Sequence, residues 1–382
     1  MHASPLTRTT RLLWLTLPLT LGDVLAGALD ERSSMVALDA TVGALPFEDG
    51  HAACAQAVEM VLELQPTFPT APTSGGGEFS LLAQAVAGID ELEVLPPGLL
   101  RLRGSNGSIR PEGGPAAAGR VDLADPAFEP FHEFVGALAE HRRRTGADFV
   151  GVRVGVLGPV SLALALRAAG IGVDESLVLA TELVVARAAA LLDELRTVVP
   201  DHVVAVVMNE PGLIGAMHPT FPLAPSQVLE LLEPVVTALD VHPLAGDLLI
   251  GVHVPGRTDW ETIICSGVSL ISAPADAGVL GWAEALAQFF DNGGRIAWGA
   301  VPVDQPLGSG EELLWRRLSA LWCQLVGEGL DPLLLRSRSL TSPVDGLGHF
   351  GPPQAELALT LVDSLSVRVR RQAIGARLSL GA

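Results

Sequence analysis

The feature that most restricts this chain is a rhythm between Phe149 and Pro343, in which short, almost wholly apolar runs recur, each followed by a longer stretch with helical spacing. The runs are Phe149–Leu157, Val203–Met208, Leu248–Val254, Gly267–Ser272, Arg295–Val301 and Ser337–Ser342. Between most of them lie Ser161–Ala169, Glu175–Val198, Pro225–Leu239, Trp282–Phe290 and Glu311–Glu328. A strand that is hydrophobic at nearly every position is covered on both faces, as in a parallel sheet overlaid with helices. Regular alternation of this kind requires crossover connections and so implies a parallel α/β fold.

Two further candidate strands, Met35–Val42 and one within Leu92–Leu102, bring the count to eight. That number favours a closed TIM-type (β/α)8 barrel over an open doubly wound sheet. Helices are also expected at Asp49–Leu64, Glu78–Ala87, Phe131–Arg144 and from Pro353 to about Arg371. Pro66–Gly77 reads as a rigid loop that becomes flexible, and Glu93–Pro130 as a turn-rich, hairpin-like excursion. The organisation expected is an N-terminal extension over residues 1–34 and one barrel domain over 35–382, with no internal repeat and no interdomain linker.

A hydrophobic content of 49% and a mean hydropathy of +0.41 supply a large core. The formal charge of −19 argues against a nucleic-acid partner, whose phosphates are met by clustered Lys and Arg. There is no lysine and no tyrosine, which excludes Schiff-base chemistry and any tyrosine acid or base. Cys54, Cys265 and Cys323 lie far apart without metal-ligand spacing, as expected of reduced thiols in a cytoplasmic protein. The basic start, the apolar stretch LLWLTLPLTLGDVL and Ala26-Gly27-Ala28 outline a signal peptide, but Asp23 and Pro18 weaken it, and an N-terminal extension or an early start codon is the reading preferred. No other apolar run is long enough to span a bilayer, so no membrane partner is expected.

Polar residues gather where the strands end. Gly158-Pro159, Asn209-Glu210-Pro211, His253-Val254-Pro255, Ser272, Val301–Asp304 and Pro343–Gly348 follow successive strands. In a closed barrel they would meet at the carboxyl-end mouth, where α/β barrels carry their chemistry. Each has a plainer reading: His253 as a satisfied core histidine, Glu210 as a cap on the next turn or the partner of an arginine.

Taken in order, VGALP at Val42, the Pro66–Pro72 loop with Glu78 and Gln84, VGVLGPVSLA at Val154, VVMNEPGL at Val206, GVHVPG at Gly251, WGAVPVD at Trp298 and SPVDGLG at Ser342 resemble one superfamily. It contains the catalytic C-terminal barrel of cobalamin-independent methionine synthase and uroporphyrinogen decarboxylase. The resemblance covers about residues 36–370. In the methionine synthase branch a His-x-Cys motif, a glutamate and a second cysteine bind zinc, which holds a thiol substrate as thiolate for methyl transfer. Here His253 matches, while Pro255, Ser272 and Asp345 stand at the other three positions. No zinc and no other cofactor is therefore expected, since a zinc site needs at least three protein ligands. Asn209-Glu210-Pro211 stands where that branch has Asp-Glu-Pro for an amino group. The decarboxylase branch uses arginines near the first strand with an aspartate and a tyrosine nearby; here there is no tyrosine, and no arginine follows Val42 until Arg101.

The resemblance thus implies methyl transfer to a small-molecule thiol acceptor with a degenerate zinc site. His253, Glu210 and Asp345 are the candidate catalytic residues, and Asn209 and Ser272 the candidate substrate contacts. Two alternatives stay open: a non-catalytic ligand-binding or accessory barrel, and a metal-independent decarboxylase or lyase needing a cation such as Arg153 or Arg257 in the mouth. Oligomeric state is left open.

Overall fold

The computed structural model describes residues 44–47, 50–96, 98–103, 121–145, 149–243, 246–308 and 310–379. The extension over 1–34 and the candidate strand Met35–Val42 lie outside them. The strands are β1 Ala44–Leu45, β2 Thr73–Ser74, β3 Leu92–Leu95, β4 Leu99–Leu102, β5 Gly151–Leu157, β6 Val203–Asn209, β7 Leu248–His253, β8 Leu270–Pro274, β9 Arg295–Val301 and β10 Ser339–Pro343. The helices are α1 His51–Leu64, α2 Leu81–Val86, α3 Glu129–Thr145, α4 Pro159–Ala168, α5 Val173–Val198, α6 Pro225–Asp240, α7 Trp260–Cys265, α8 Ala283–Asp291, α9 Glu311–Gly327, α10 Pro332–Ser337 and α11 Pro352–Ser379.

Strands β5 to β10 form one parallel sheet in chain order, with helices between successive strands. All seven residues of β6, VVAVVMN, are buried, so both of its faces are covered. Alternation along the strands separates two apolar layers. Val152, Val154, Val156, Val204, Val206, Met208 and Val252 pack outward in the large core shared with the helices. Phe68, Val203, Ala205, Val207, Leu249, Leu270, Ala297 and Leu340 form a separate, smaller inner cluster. Two cores of unequal size on the two faces of one sheet fit a sheet that curls, with a wide convex side and a narrow concave side.

The sheet has six strands, and the described hydrogen bonds do not close it into an eight-stranded barrel. The expected strand within Leu92–Leu102 is instead an antiparallel hairpin of β3 and β4 outside the parallel sheet. Gly98, at φ 126°, turns the chain there and donates its N–H to Leu95 at 2.7 Å. A Pro and Gly turn reverses a strand instead of leading it into a crossover. The free edge of β5 is lined by Thr67–Ala71, which had read as loop. Val150 and Arg153 donate to the carbonyls of Thr67 and Pro69 at 2.8 and 2.9 Å, and Ala71 donates back to Arg153 at 2.9 Å. Pro69 joins this edge through its carbonyl, which accepts from Arg153, and forgoes only the one ladder bond that its nitrogen cannot donate. Further along, β1 pairs with β2, and the N–H of Leu347 donates to Ala44 at 2.6 Å. Short segments therefore span the opening between β5 and β10.

Candidate functional site

Register places the strand-end residues side by side. Leu157 is opposite Asn209, Asn209 opposite His253, and His253 opposite Ser272, so Asn209, His253 and Ser272 occupy adjacent positions on three neighbouring strands. They share the inner face with Val207, Leu249 and Leu270, two or four residues earlier on their own strands. Asp345 follows β10, three strands from β7, yet its Oδ1 lies 3.5 Å from His253 Nε2. In a flat sheet three strand spacings would hold them about 14 Å apart. That contact therefore requires the sheet to curl.

His253 is 1% exposed, and its Nδ1 is 2.9 Å from Ser272 Oγ. At 3.5 Å the Asp345 contact is too long for a well-formed hydrogen bond, and Nε2 has no hydrogen-bond partner among the described residues. Burial lowers the pKa of the imidazole, Asp345 opposes that fall, and the nearby Arg153 guanidinium adds to it. The ring is thus held neutral at neutral pH and ready to take a proton. Burial raises the pKa of the Asp345 carboxyl, but His253, the Gly346 N–H at 2.7 Å and His349 outweigh it, and the net shift is downward. An ionised carboxylate beside Nε2 favours the tautomer in which Nε2–H faces Asp345 and Nδ1 accepts from the Ser272 hydroxyl.

Glu210 sits elsewhere. It is fully buried; its Oε1 accepts from the Val160 N–H at 2.9 Å, and its Oε2 from the Ser161 N–H at 2.7 Å and Ser161 Oγ at 2.6 Å. These are donors at the start of α4, where an anion also meets the positive end of the helix dipole. Gly158 allows the approach, since a Cβ there would lie 2.2 Å from the carboxyl. Gly212 N–H donates to Ser161 Oγ at 2.9 Å, so the Asn209-Glu210-Pro211-Gly212 and Gly158-Pro159-Val160-Ser161 turns lock together. Burial pushes the Glu210 carboxyl up to about 7, against the pull of its three hydrogen bonds. Asn209 gives its Nδ2 to the carbonyls of Val156 and Val207, both at 3.2 Å, and keeps Oδ1 without a partner among the described residues. Of the five candidates, Asn209, His253, Ser272 and Asp345 come together, and Glu210 faces the helix.

Arg153 carries more weight than the sequence assigned it. Mid-strand in β5, it alternates outward-facing Val152 and Val154 and therefore lies on the inner face, 3% exposed. Of the two cations that the decarboxylase or lyase alternative could draw on, Arg153 is the one whose strand position turns it to the inner face. The signal was a single charge in an otherwise apolar strand, GVRVGVL.

No family model and no curated protein matches this chain. Among solved structures it is similar to a B12-independent methionine synthase from Shewanella sp. W3-18-1, in complex with selenomethionine, at 12% identity and a TM-score of 0.56, covering 89% of this chain and 99% of that one. The likeness is one of fold. A second structure, from work on two fungal β-1,4-galactanases, aligns at 11% identity over 59% of this chain and 82% of its own, but its TM-score of 0.34 carries no argument.

The zinc site that the methionine synthase fold implies can be tested against the donors present. Pro255 offers none, and the Ser272 hydroxyl is neutral and engaged with His253. No group of three or more His, Cys, Asp or Glu suited to a metal occurs among the described residues. His253 and Asp345 alone do not fit a zinc site. No helix among the described residues is long and apolar enough to cross a membrane.

Proposed function

We propose that the chain is a methionine-synthase-like enzyme that transfers a methyl group to a small-molecule thiol with His253 as general base in place of zinc. The observation that carries this reading is the state of the imidazole: buried, held at Nδ1 by Ser272, and turned at Nε2 toward Asp345 without a hydrogen bond. With Nε2–H turned toward Asp345, Nδ1 is the basic nitrogen: the thiol gives its proton to the Ser272 hydroxyl as that hydroxyl passes its own to Nδ1, and Asp345 stabilises the imidazolium that results. The thiolate sulfur then attacks the methyl carbon of a sulfonium or N-methyl donor; the bond from that carbon to the donor atom breaks with its electron pair staying on the donor, and a departing nitrogen takes up the proton held by the imidazolium. Ser272 fixes the ring, Asn209 presents Oδ1 to the substrate, and Glu210 holds the strand-end turns in place. The reading dispenses with zinc because two of the expected donors are replaced by Pro255 and Ser272.

Purified protein in the presence of a chelator, given 5-methyltetrahydrofolate or S-adenosylmethionine with a panel of thiols, should yield an S-methyl product by mass spectrometry. His253→Asn should lower the rate by about a hundredfold or more, the span of general-base catalysis. Turnover that disappears with the chelator and returns with zinc would overturn the reading. A metal-free decarboxylase is the second reading, favoured by the inward Arg153, and release of carbon dioxide from a carboxylic acid would mark it.

A further inference from the structure

The inner face of the sheet gathers several polar side-chain atoms. Among the described residues, Thr70 Oγ1, Arg153 Nη2, Asn209 Oδ1, His253 Nε2 and Ser342 Oγ are all buried and lack hydrogen-bond partners. Their register puts them on one face: Thr70 pairs with Arg153 across the β5 edge, and Ser342 lies opposite Gly299, two residues beyond Leu340 of the inner cluster. Natural folds seldom leave several neighbouring buried polar groups unsatisfied, and such groups call for an explanation.

Arg153 is the most demanding of them. Its guanidinium is buried, no carboxylate among the described residues offsets that burial, and burial drives its pKa down to about 9. A charge taken out of water without a partner is among the least favourable groups a protein can contain. Phe68 and Asn209 fix its surroundings, because Gly151 and Gly155, on the same face of β5, lack the Cβ atoms that would meet the Phe68 ring at 2.5 Å and Asn209 Nδ2 at 2.8 Å. The charge is near enough to act on His253.

We infer that Arg153 anchors a carboxylate of the substrate inside the concave face, so that the mouth takes a small thiol acid instead of a neutral thiol. A guanidinium offers a planar fork that matches a carboxylate, and the Thr70 and Ser342 hydroxyls can donate to the same oxygens. The other end of the molecule would then extend toward His253. This inference rests on the proposed reading only in taking the thiol end to be the reacting one. The carboxylate subsite is a claim about binding and stands apart from turnover.

The test uses three probes on the full chain: propionate, 3-mercaptopropionate and the neutral 1-propanethiol, followed by thermal unfolding and calorimetry against sodium chloride at equal ionic strength. Propionate and 3-mercaptopropionate should protect the protein saturably. Arg153→Met should weaken that binding at least about tenfold, the factor equivalent to about 1.4 kcal/mol, while Arg153→Lys should keep part of it. His253→Asn should leave propionate binding intact. Lack of saturable protection of the natural protein by either acid, or equal protection of Arg153→Met, would overturn the subsite. If Arg153→Met does not fold, Arg153→Lys and the natural protein decide the matter. Carboxylate binding without any methyl transfer would overturn the proposed chemistry and leave the subsite standing.

Discussion

Replacing Glu210 by alanine probes the joint on which the mouth is mounted. The change strands three donors, the N–H groups of Val160 and Ser161 and the Ser161 hydroxyl, in a place where Glu210 is 0% exposed. A buried donor without an acceptor costs about 1–3 kcal/mol. Allowing for water that enters the vacated space, the loss should be about 3–5 kcal/mol, or roughly 4–6 °C of Tm for a chain of this size. Glu210→Gln keeps the volume and one acceptor and should lose about half as much. The pH dependence sharpens the test. The carboxyl is raised from 4.5 to about 7 in the folded chain, so folding favours its protonated form and the stability this contributes is lost as pH rises between those values. Circular dichroism melts at about pH 5 and about pH 8 should therefore show the gap between the natural protein and Glu210→Ala narrowing by about 2.5 kcal/mol. A gap that widens with pH would mean that the three donors outweigh burial and hold the anion. A fall below about 1 kcal/mol at both pH values would refute the proposed lock altogether.

Three further outcomes are expected. Asp345→Asn removes a group that holds the His253 pKa up, so the midpoint of its imidazole titration by NMR should fall; an unchanged midpoint would show that the 3.5 Å contact carries no coupling. Because the folded His253 pKa lies below its ordinary 6.5, the stability it contributes is present above 6.5 and is lost as pH falls toward the folded value; acid unfolding of His253→Asn should lack this component. Gly151→Ala would set a Cβ 2.4 Å from the Val203 carbonyl and 2.5 Å from Phe68 and should cost about 3 kcal/mol, whereas Gly136→Ala, with open space around it in α3, should stabilise by about 0.5–1 kcal/mol in chemical denaturation.

What the amino-acid order determined by itself was local: where apolar runs of strand length lie, where helical spacing takes over, and which polar residues stand at the junctions. Helices expected at Pro225–Leu239 and Glu311–Glu328 differ from those observed by a residue at one end, because periodicity and Pro225 at the first turn act over a few residues. The two short helices Trp260–Cys265 and Pro332–Ser337 escaped notice, being too brief to show a period. Tertiary structure alone decided that Thr67–Ala71 lies along β5, since edge pairing depends on a distant partner, and it chose the hairpin-like reading of the segment from Glu93 over a barrel strand within Leu92–Leu102. It also decided the roles open to charged side chains. Glu210 finds Ser161 from 49 residues away, and His253 meets Asp345 only because the sheet bends. Whether a buried group such as Arg153 has a partner depends on every neighbour the fold gathers around it, and no window of sequence contains that information.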